Sequence, residues 1–340
     1  MIKVTYYFGA GASIDALPIV NQIPDRMRDM IKLLELEEYQ LPNNEEYEDL
    51  KINISKHDIQ LNLIADLKWL LDKSANHASI DTFAKKLFVK KQMDDLNRLK
   101  VVFSIYLILE QIKNKANPRY DSFFASILDD DCYSFPTNIR VLSWNYDFQF
   151  EKAFSEYTED AEVFTNQSIL NVITKYSHDA PKNNKFSIIK LNGTSNILGS
   201  RGFRMFGYFE KMEDKITLNL IDKVVRNYGA LRLTDWREFF SGLSFAWEPS
   251  FDTEHDIIEH AKNESLDTEV LVVIGYSFPY FNREIDRKII ENMQNLKRVY
   301  FQAPDADVLR ERFLSIRNDL PMVNLLCRHD VGQFLLPNEL

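Results

Sequence analysis

The chain has 340 residues, 45% of them hydrophobic, which is enough to bury a substantial core in one or two domains. Acidic residues are in excess and give a formal net charge of −10, which argues against DNA or RNA as the main partner. The two cysteines, Cys132 and Cys327, exclude an all-cysteine zinc site and a disulfide scaffold, and we expect two reduced, mostly buried thiols. Because neither a secretory signal nor an apolar run of membrane-spanning length is visible, we expect a cytoplasmic protein without a membrane segment.

A short apolar strand opens the chain and ends in a turn of small residues. Residues 2–8 read as a buried strand, and GAGAS follows at residues 9–13. Glycine lacks a Cβ, so such a turn lets the backbone approach a partner closely and offer several N–H groups to one anion. Ile14 stands where the dehydrogenase pattern has its third glycine, and an ordinary tight turn explains these residues equally well.

Helical periodicity dominates the following stretch. Apolar residues recur at helical spacing in residues 24–38. The clearest later helical patterns lie at residues 58–73 and 99–115, and ASIDTFAKKLF between them predicts another helix, capped by Ser79 or Asp81.

These patterns predict the domain organisation. Residues 1–42 are assigned to the first part of a Rossmann-like domain, and residues 43–130 to a helical insertion without strand-like alternation. Residues 131–340 are assigned to the remainder of that domain, with an aromatic-rich insertion at about residues 200–264 that the pattern does not place.

Short strand signals return after the helical stretch, in NIRVLSW, KFSIIKL, EVLVVIGY, LKRVYFQAP and PMVNLLC. Buried strands that alternate with helices predict an α/β fold with a doubly wound, mostly parallel, Rossmann-like sheet and a helical insertion. Ligands of such sheets lie outside the carboxyl ends of the strands. Four strand ends carry small or polar residues, namely Gly9–Ser13, Asn145–Asp147, Asn192–Ser195 and Gly275–Ser277.

The four strand ends together resemble the sirtuin-like family. GAGAS with Pro18 downstream, WNYD, KLNG and VIGYSF follow one another in that family's order, over roughly residues 1–30, 135–200 and 265–310. SIDTFAKKL within the helical stretch resembles the prokaryotic branch that serves in antiviral defence as NAD-degrading effectors. The resemblance implies that the Rossmann-like domain binds NAD as its substrate, whereas the prediction of no metal rests on the spacing of the histidines.

The resemblance also implies a role for individual residues. Those expected at the pyrophosphate are Gly9, Ala10, Gly11 and Ser13. Those expected at the ribose and nicotinamide side are Asn145 and Asp147. Those expected at the adenosine half are Gly275 and Ser277, with Asn282 as a second candidate for a ribose contact.

Three departures from the family pattern refine this expectation. The zinc module of protein-deacetylating sirtuins needs more cysteines than this chain has, which indicates a non-deacetylase branch. Ala16 replaces a glycine that often precedes the family's Ile-Pro, where Leu17 and Pro18 stand here. Asn192 replaces the family's histidine, and a carboxamide cannot take a proton near pH 7, although it can hydrogen-bond a ribose hydroxyl.

The sequence therefore predicts an NAD glycohydrolase that releases nicotinamide and ADP-ribose, with Asn145, Asp147 and Asn192 as catalytic residues. Asn145 would position water or the ribose, and an ionised Asp147 would favour the developing positive charge. The alternative is a catalytically weak or inactive NAD- or ADP-ribose-binding module of a multi-subunit complex. The resemblance implies a regulatory or sensor subunit, of which a nucleotide-pyrophosphatase-like protein is one candidate, in a hetero- or homo-oligomer. The charge and the lack of a long apolar run predict no direct nucleic-acid partner and no membrane.

Plainer interpretations of the same residues stay open. Asn145 and Asp147 are placed to cap the next helix, Asn192 and Gly193 are typical of an ordinary turn, and Ser277 is placed to cap the helix that follows it. His178 is an alternative base or a solvated loop residue. The histidines show no metal-ligand spacing.

Overall fold

The computed structural model describes residues 1–159, 162–177, 185–199, 215–234, 239–248 and 256–340. Its strands are β1 (Val4–Phe8), β2 (Ile139–Ser143), β3 (Val172–Ile173), β4 (Ser187–Lys190), β5 (Gly193–Gly199), β6 (Phe239–Leu243), β7 (Val270–Ile274), β8 (Arg298–Gln302) and β9 (Leu325–Arg328). Its α-helices are α1 (Ile23–Leu34), α2 (Lys56–Ala75), α3 (Ile80–Val89), α4 (Met93–Lys113), α5 (Pro118–Ile127), α6 (Gln149–Thr158), α7 (Val163–Ile169), α8 (Leu218–Arg232), α9 (Ile257–Glu264), α10 (Arg283–Ile290) and α11 (Ala306–Leu314).

One parallel sheet carries the described strands other than β5 and β6, in the order β3-β4-β2-β1-β7-β8-β9. β1 lies in the middle, and Val4 pairs in register with Ile139 of β2 on one side and Val270 of β7 on the other. The chain places β2, β3 and β4 on one side of β1, and β7, β8 and β9 on the other side. The strand order therefore reverses between these two strands, where a parallel sheet has its ligand crevice.

Helices cover both faces of this sheet, which explains why the strand sequences are apolar on both sides. Tyr7 of β1 and Val273 of β7 point to the face that packs against α9, α10 and α11. Tyr6 and Val272 point to the opposite face, which packs against α5 and α6. This arrangement confirms the predicted doubly wound, Rossmann-like fold.

A second hydrophobic core lies in a helical body beside the sheet. It joins α1, α2, α3, α4 and α8 to the antiparallel pair β5 and β6. α4 is buried on almost every side from Val101 to Ile112, as a central helix should be. This core thus contains helices from beyond the predicted insertion at residues 43–130, whose boundaries stay predictions.

Smaller expectations have mixed outcomes. Part of the aromatic-rich insertion, including residues 200–214 and 249–255, lies outside the described residues. Cys132 and Cys327 are free thiols, but both are only half-buried, so the expectation of mostly buried thiols was too strong. None of the helices in the described ranges combines the length and apolar character that a bilayer crossing requires.

Candidate functional site

The carboxyl ends of β1, β2, β4 and β7 open onto one cleft with a volume of about 960 Å³. We call the cleft surface formed by these strand ends the sheet wall, and the opposite surface, formed by residues 79–90 of α3 and its cap, the α3 wall. The predicted site residues that line the cleft are Ala10, Ser13, Asn145, Asp147, Asn192, Gly275, Ser277 and Asn282. Gly9 and Gly11 are not among the lining residues.

Gly9 and Gly11 instead let the first turn press against the turn that follows β7. A Cβ on Gly9 would lie 2.5 Å from the Cα of Tyr276, and one on Gly11 would lie 2.9 Å from the Cα of Gly275. Gly275 has a φ of +60°, and a Cβ there would lie 2.5 Å from the amide nitrogen of Ala12. The glycines serve a close approach, as the sequence predicts, but the neighbour is backbone of the same chain.

Three backbone amides of the first turn, which the sequence predicts to bind an anion, donate hydrogen bonds within the protein instead. Gly9 N donates to the Ile274 carbonyl at 2.9 Å, and Gly11 N donates to the Gly275 carbonyl at 3.0 Å. Ala12 N donates back to the Gly9 carbonyl at 2.9 Å. The expectation that the turn offers several amides to one anion is therefore wrong for these three groups. Ala10 and Ser13 are the turn residues that face the cleft.

Ser13, Asn145 and Asp147 form one buried hydrogen-bonded group on the sheet wall. The Ser13 hydroxyl donates to Asp147 Oδ2 at 2.6 Å, and Asn145 Nδ2 donates to Ser13 Oγ at 3.2 Å. The hydroxyls of Ser13 and Tyr120 lie 2.8 Å apart. A serine hydroxyl has a single proton, so Tyr120 is the donor in this last bond. The ends of β1 and β2 are thereby fixed to each other by side chains.

Burial raises the pKa of the Asp147 carboxyl above its ordinary value. The charge of Lys190 and the bonds from Ser13 and the Gln149 amide oppose this rise and favour the ionised form. Lys190 Nζ donates to the Asp147 carbonyl at 2.5 Å and pairs with Glu151 at 2.8 Å. Asp147 Oδ1 accepts from Gln149 N at 3.2 Å, although Phe148 is the N-cap residue of α6. This bond and the bond from Ser13 use different oxygens of one carboxylate.

Asn192 connects backbone segments. Its Nδ2 donates to the Trp144 carbonyl at 3.0 Å, and its Oδ1 accepts from Ala246 N at 3.0 Å. Gly193 follows with a φ of +68°, which supports the turn interpretation of this pair. The carboxamide therefore holds the end of β2 against the segment after β6, and it has no group that exchanges a proton near pH 7.

The adenosine-side candidates stand on the turn after β7. Ser277 is exposed and its carbonyl accepts from Arg312 Nη1 at 2.6 Å. Asn282 precedes α10, so the expectation that Ser277 caps this helix is wrong. Asn282 Nδ2 donates to the hydroxyl of Tyr276 at 3.2 Å. Trp144 stacks on Tyr276 with ring centres 5.3 Å apart.

Beneath this turn lies an acid that sequence reasoning missed. Asp286 of α10 accepts from the Tyr7 hydroxyl at 2.6 Å and from the Tyr276 hydroxyl at 3.0 Å. Burial raises the pKa of Asp286 to about 7. Its signal in the sequence is an acidic residue at a core position of an amphipathic helix, between Ile285 and Ile289.

The α3 wall is more open and carries positive charge. Ser79 is the N-cap residue of α3, and its Oγ accepts from Thr82 N at 3.1 Å. Asp81 is therefore not needed as the cap, and it lines the cleft. The Tyr146 hydroxyl donates to Asp81 Oδ1, which links the two walls. The cations that line the cleft are Lys85, Lys86 and Lys90 on this wall and Arg312 on the other side. Sequence reasoning did not assign these cations.

The described lining of the cleft contains no histidine. His178, the alternative base, lies outside the described residues. Within the described ranges, no group of three or more His, Cys, Asp and Glu side chains is arranged to hold a metal ion. The polar groups available for chemistry on the described sheet wall are thus carboxylate, carboxamide and hydroxyl.

One solved structure similar to this chain is described as the crystal structure of a Sir2 homolog-NAD complex. The two share 10% sequence identity at a TM-score of 0.37, and the match covers 93% of this chain and 89% of the other. No family model matches the sequence, and no curated protein matches it. Similarity at this level says nothing about the activity of this chain.

Proposed function

We propose that the cleft binds NAD and hydrolyses its nicotinamide glycosidic bond, in the manner of a sirtuin-like protein that is not a deacetylase. The observation that carries this proposal is the meeting of four strand ends in one cleft, where the strand order reverses. Ser13 from one end and Asn145 and Asp147 from another are hydrogen-bonded to one another there.

The shape and charge of the cleft support a dinucleotide. The volume of about 960 Å³ is at the upper end of the range for small-molecule sites. In the proposed pose the pyrophosphate lies at Ala10 and Ser13, and the adenosine half lies at Gly275, Ser277 and Asn282. The lysines of the α3 wall and Arg312 attract the anionic pyrophosphate, although the whole chain carries a net charge of −10.

The proposed reaction needs stabilisation of positive charge more than a strong base. The bond between nicotinamide and ribose breaks with both electrons going to nicotinamide, which leaves a cation-like ribose. Water then adds to this carbon and releases a proton to solvent. Ionised Asp147 stabilises the cation, and Asn145 orients the ribose or the water. Asn192 acts indirectly, by holding the end of β2.

Release of nicotinamide from NAD tests this proposal. The protein is assayed alone and after purification together with the product of its genomic neighbour. Asn145→Ala should lower the rate by about 100-fold or more, because it removes a group that orients the reacting centre. Asn62→Ala, at an exposed position of α2, is the matched control and should leave the rate unchanged. Absence of release under every condition would rule out the hydrolase.

One observation favours a second candidate, an NAD- or ADP-ribose-binding module. The Asn192 carboxamide is engaged with backbone on both sides, and the described cleft lining has no histidine. Such a site would hold the dinucleotide and report its presence to another subunit. Calorimetry separates the two candidates, because stable NAD binding without nicotinamide release is the result expected of the module alone.

Regulation by a partner belongs to the same proposal. Constant NAD cleavage would be toxic in the cytoplasm, so activity must wait for a change of partner or assembly. We assign the trigger to a second subunit in antiphage defence, with a nucleotide-pyrophosphatase-like protein as candidate, in a hetero- or homo-oligomer. Nicotinamide release that is the same with and without the co-purified partner would contradict this part.

A further inference from the structure

The N-terminal end of α5 holds the first turn from behind. Arg119 Nη2 donates to the Gly11 carbonyl at 2.9 Å and to the Ala12 carbonyl at 2.7 Å. Arg119 is buried, and it lies more than a hundred residues away from this turn in the chain. One guanidinium nitrogen thus fixes two successive peptide groups of the turn.

The neighbours of Arg119 hold the next two residues of the same turn. Tyr120 donates to Ser13 Oγ, as derived above, at 2.8 Å. Asn117 Nδ2 donates to the Ile14 carbonyl. The same Asn117 side chain accepts from Arg119 N at 3.0 Å as the N-cap of α5. The start of α5 therefore contacts the turn at every residue from 11 to 14.

Arg119 forms no ion pair with an acidic side chain among the described residues. Its remaining partners are the Val331 carbonyl at 3.3 Å, the Asn117 carboxamide at 3.3 Å and the ring of Phe334, 5.0 Å from the guanidinium. None of these bonded groups carries a charge, and the carboxylate of Asp15 acts on the guanidinium only through space. Burial lowers the pKa of Arg119, but a guanidinium stays protonated at any physiological pH. A buried positive charge therefore stands directly behind the turn.

We propose that Arg119 is a positioning residue of the pyrophosphate site, an inference that rests on the proposed dinucleotide site. The amides of Gly9, Gly11 and Ala12 donate within the protein, so the turn has few donors left for an anion. The guanidinium supplies positive potential at the turn through a short path of buried, low-dielectric protein. It also fixes the peptide groups between Ala10 and Ser13, the two turn residues that face the cleft.

Binding of ADP and of adenosine, measured by calorimetry, separates this role from a purely structural one. Both probes carry the adenosine moiety, but only ADP carries a pyrophosphate. Arg119→Gln should weaken ADP binding about tenfold, and adenosine binding by less than about twofold. Arg119→Lys keeps the charge and should retain most of the ADP affinity. Arg28→Gln, at an exposed arginine of α1, is the charge-matched control and should change neither affinity.

The salt dependence of binding gives a second readout. Wild-type affinity for ADP should fall as salt rises, and the Arg119→Gln protein should show a smaller fall, since one of the charges that attract the phosphates is gone. Equal loss of ADP and adenosine binding in Arg119→Gln would overturn the proposal, as would no loss of either. So would a wild-type protein that binds no ADP.

These outcomes are separable from failure of the proposed hydrolysis. If the protein binds ADP through Arg119 but releases no nicotinamide from NAD, the role of Arg119 is supported and the proposed hydrolysis is contradicted. If the protein releases nicotinamide from NAD at the same KM with and without the Arg119 side chain, the proposed hydrolysis is supported and the role of Arg119 is contradicted.

Discussion

The two walls of the cleft are built in different ways. The sheet wall consists mostly of buried groups that are bonded to one another across strands, such as Ser13, Asp147 and Asn192. The α3 wall presents half-buried or exposed lysines, and its bond to the other wall runs from Tyr146 to Asp81. The difference indicates a division of labour, in which the sheet wall fixes the reacting geometry and the α3 wall supplies charge.

This division has a physical reason. A buried polar group that loses its partner costs about 1 to 3 kcal/mol, so the sheet wall cannot rearrange cheaply. Exposed charges are screened by water and salt and exert small individual effects. Substitutions on the sheet wall should therefore change stability or turnover strongly, whereas substitutions on the α3 wall should change affinity slightly.

Gly275→Ala should have the largest effect on stability. A side chain at this φ of +60° is strained, and its Cβ would lie 2.5 Å from Ala12 N. We expect the free energy of unfolding in urea to fall by about 3 kcal/mol. Gly332→Ala is the control, because its Cβ would meet Asp330 Oδ1 only at 3.3 Å. Equal stability of the two variants would show that the first turn does not depend on close contact with the turn after β7.

Asp147→Asn should lower nicotinamide release by about 100-fold and cost about 1 to 3 kcal/mol of stability, because its amide nitrogen cannot accept the bond that Ser13 or Gln149 N donates to the carboxylate. Burial raises the pKa of Asp147 in the folded protein, so the stability of the wild-type protein falls as rising pH ionises this carboxyl. For the same reason the wild-type kcat should fall on acidification at a higher pH than for an exposed aspartate. A flat kcat profile down to pH 4 would contradict the role given to this carboxylate.

Tyr146→Phe should weaken the link between the walls and lower the free energy of unfolding moderately. It removes only the hydroxyl that donates to Asp81, and we expect a loss of about 1.5 kcal/mol in the free energy of unfolding. Tyr157→Phe removes a comparable but exposed bond to Asp121, 2.8 Å long, and should cost less. If both variants lose the same stability, the Tyr146 bond is no more than a surface contact.

The double variant Lys86→Gln and Lys90→Gln should show the smallest effect. Both side chains line the cleft and are exposed. We expect NAD affinity to fall about threefold at low salt, with unfolding unchanged and the difference shrinking as salt rises. A loss of affinity that is independent of salt would point to direct hydrogen bonds instead of a general field.

The strands and their ends could be predicted from sequence because parallel strands covered on both faces are continuous apolar runs. EVLVVIGY has this property, and the polar residues that follow this run and NIRVLSW mark where the chain leaves the sheet. α8 was missed although Leu220, Val224 and Tyr228 recur at helical spacing, since aromatic residues around it obscured its limits. β5, GTSNILG, lacks a strand-like alternation and is held by pairing with β6, which local sequence does not reveal.

Site residues could be predicted from sequence where they directly follow a strand. They could not be predicted where their role depends on a contact with a residue distant in sequence. Gly9 and Gly11 predicted a close approach of the backbone to another group. The neighbouring sequence did not indicate that this group is the backbone of Gly275 and Tyr276. Arg119 carries no motif, and its importance lies in contacts across more than a hundred residues. Such partners become visible only in three dimensions.

Calorimetric titration of the Asp147→Asn protein with NAD tests the central claim most directly, because this variant should bind the dinucleotide without consuming it. We expect one NAD site per chain, and we expect NAD binding to be lost when Gly275→Ala is added to separate the turns. A folded Asp147→Asn protein that shows no NAD binding at millimolar concentration, or binds it equally well after Gly275→Ala, would contradict a single dinucleotide site formed where the strand ends meet.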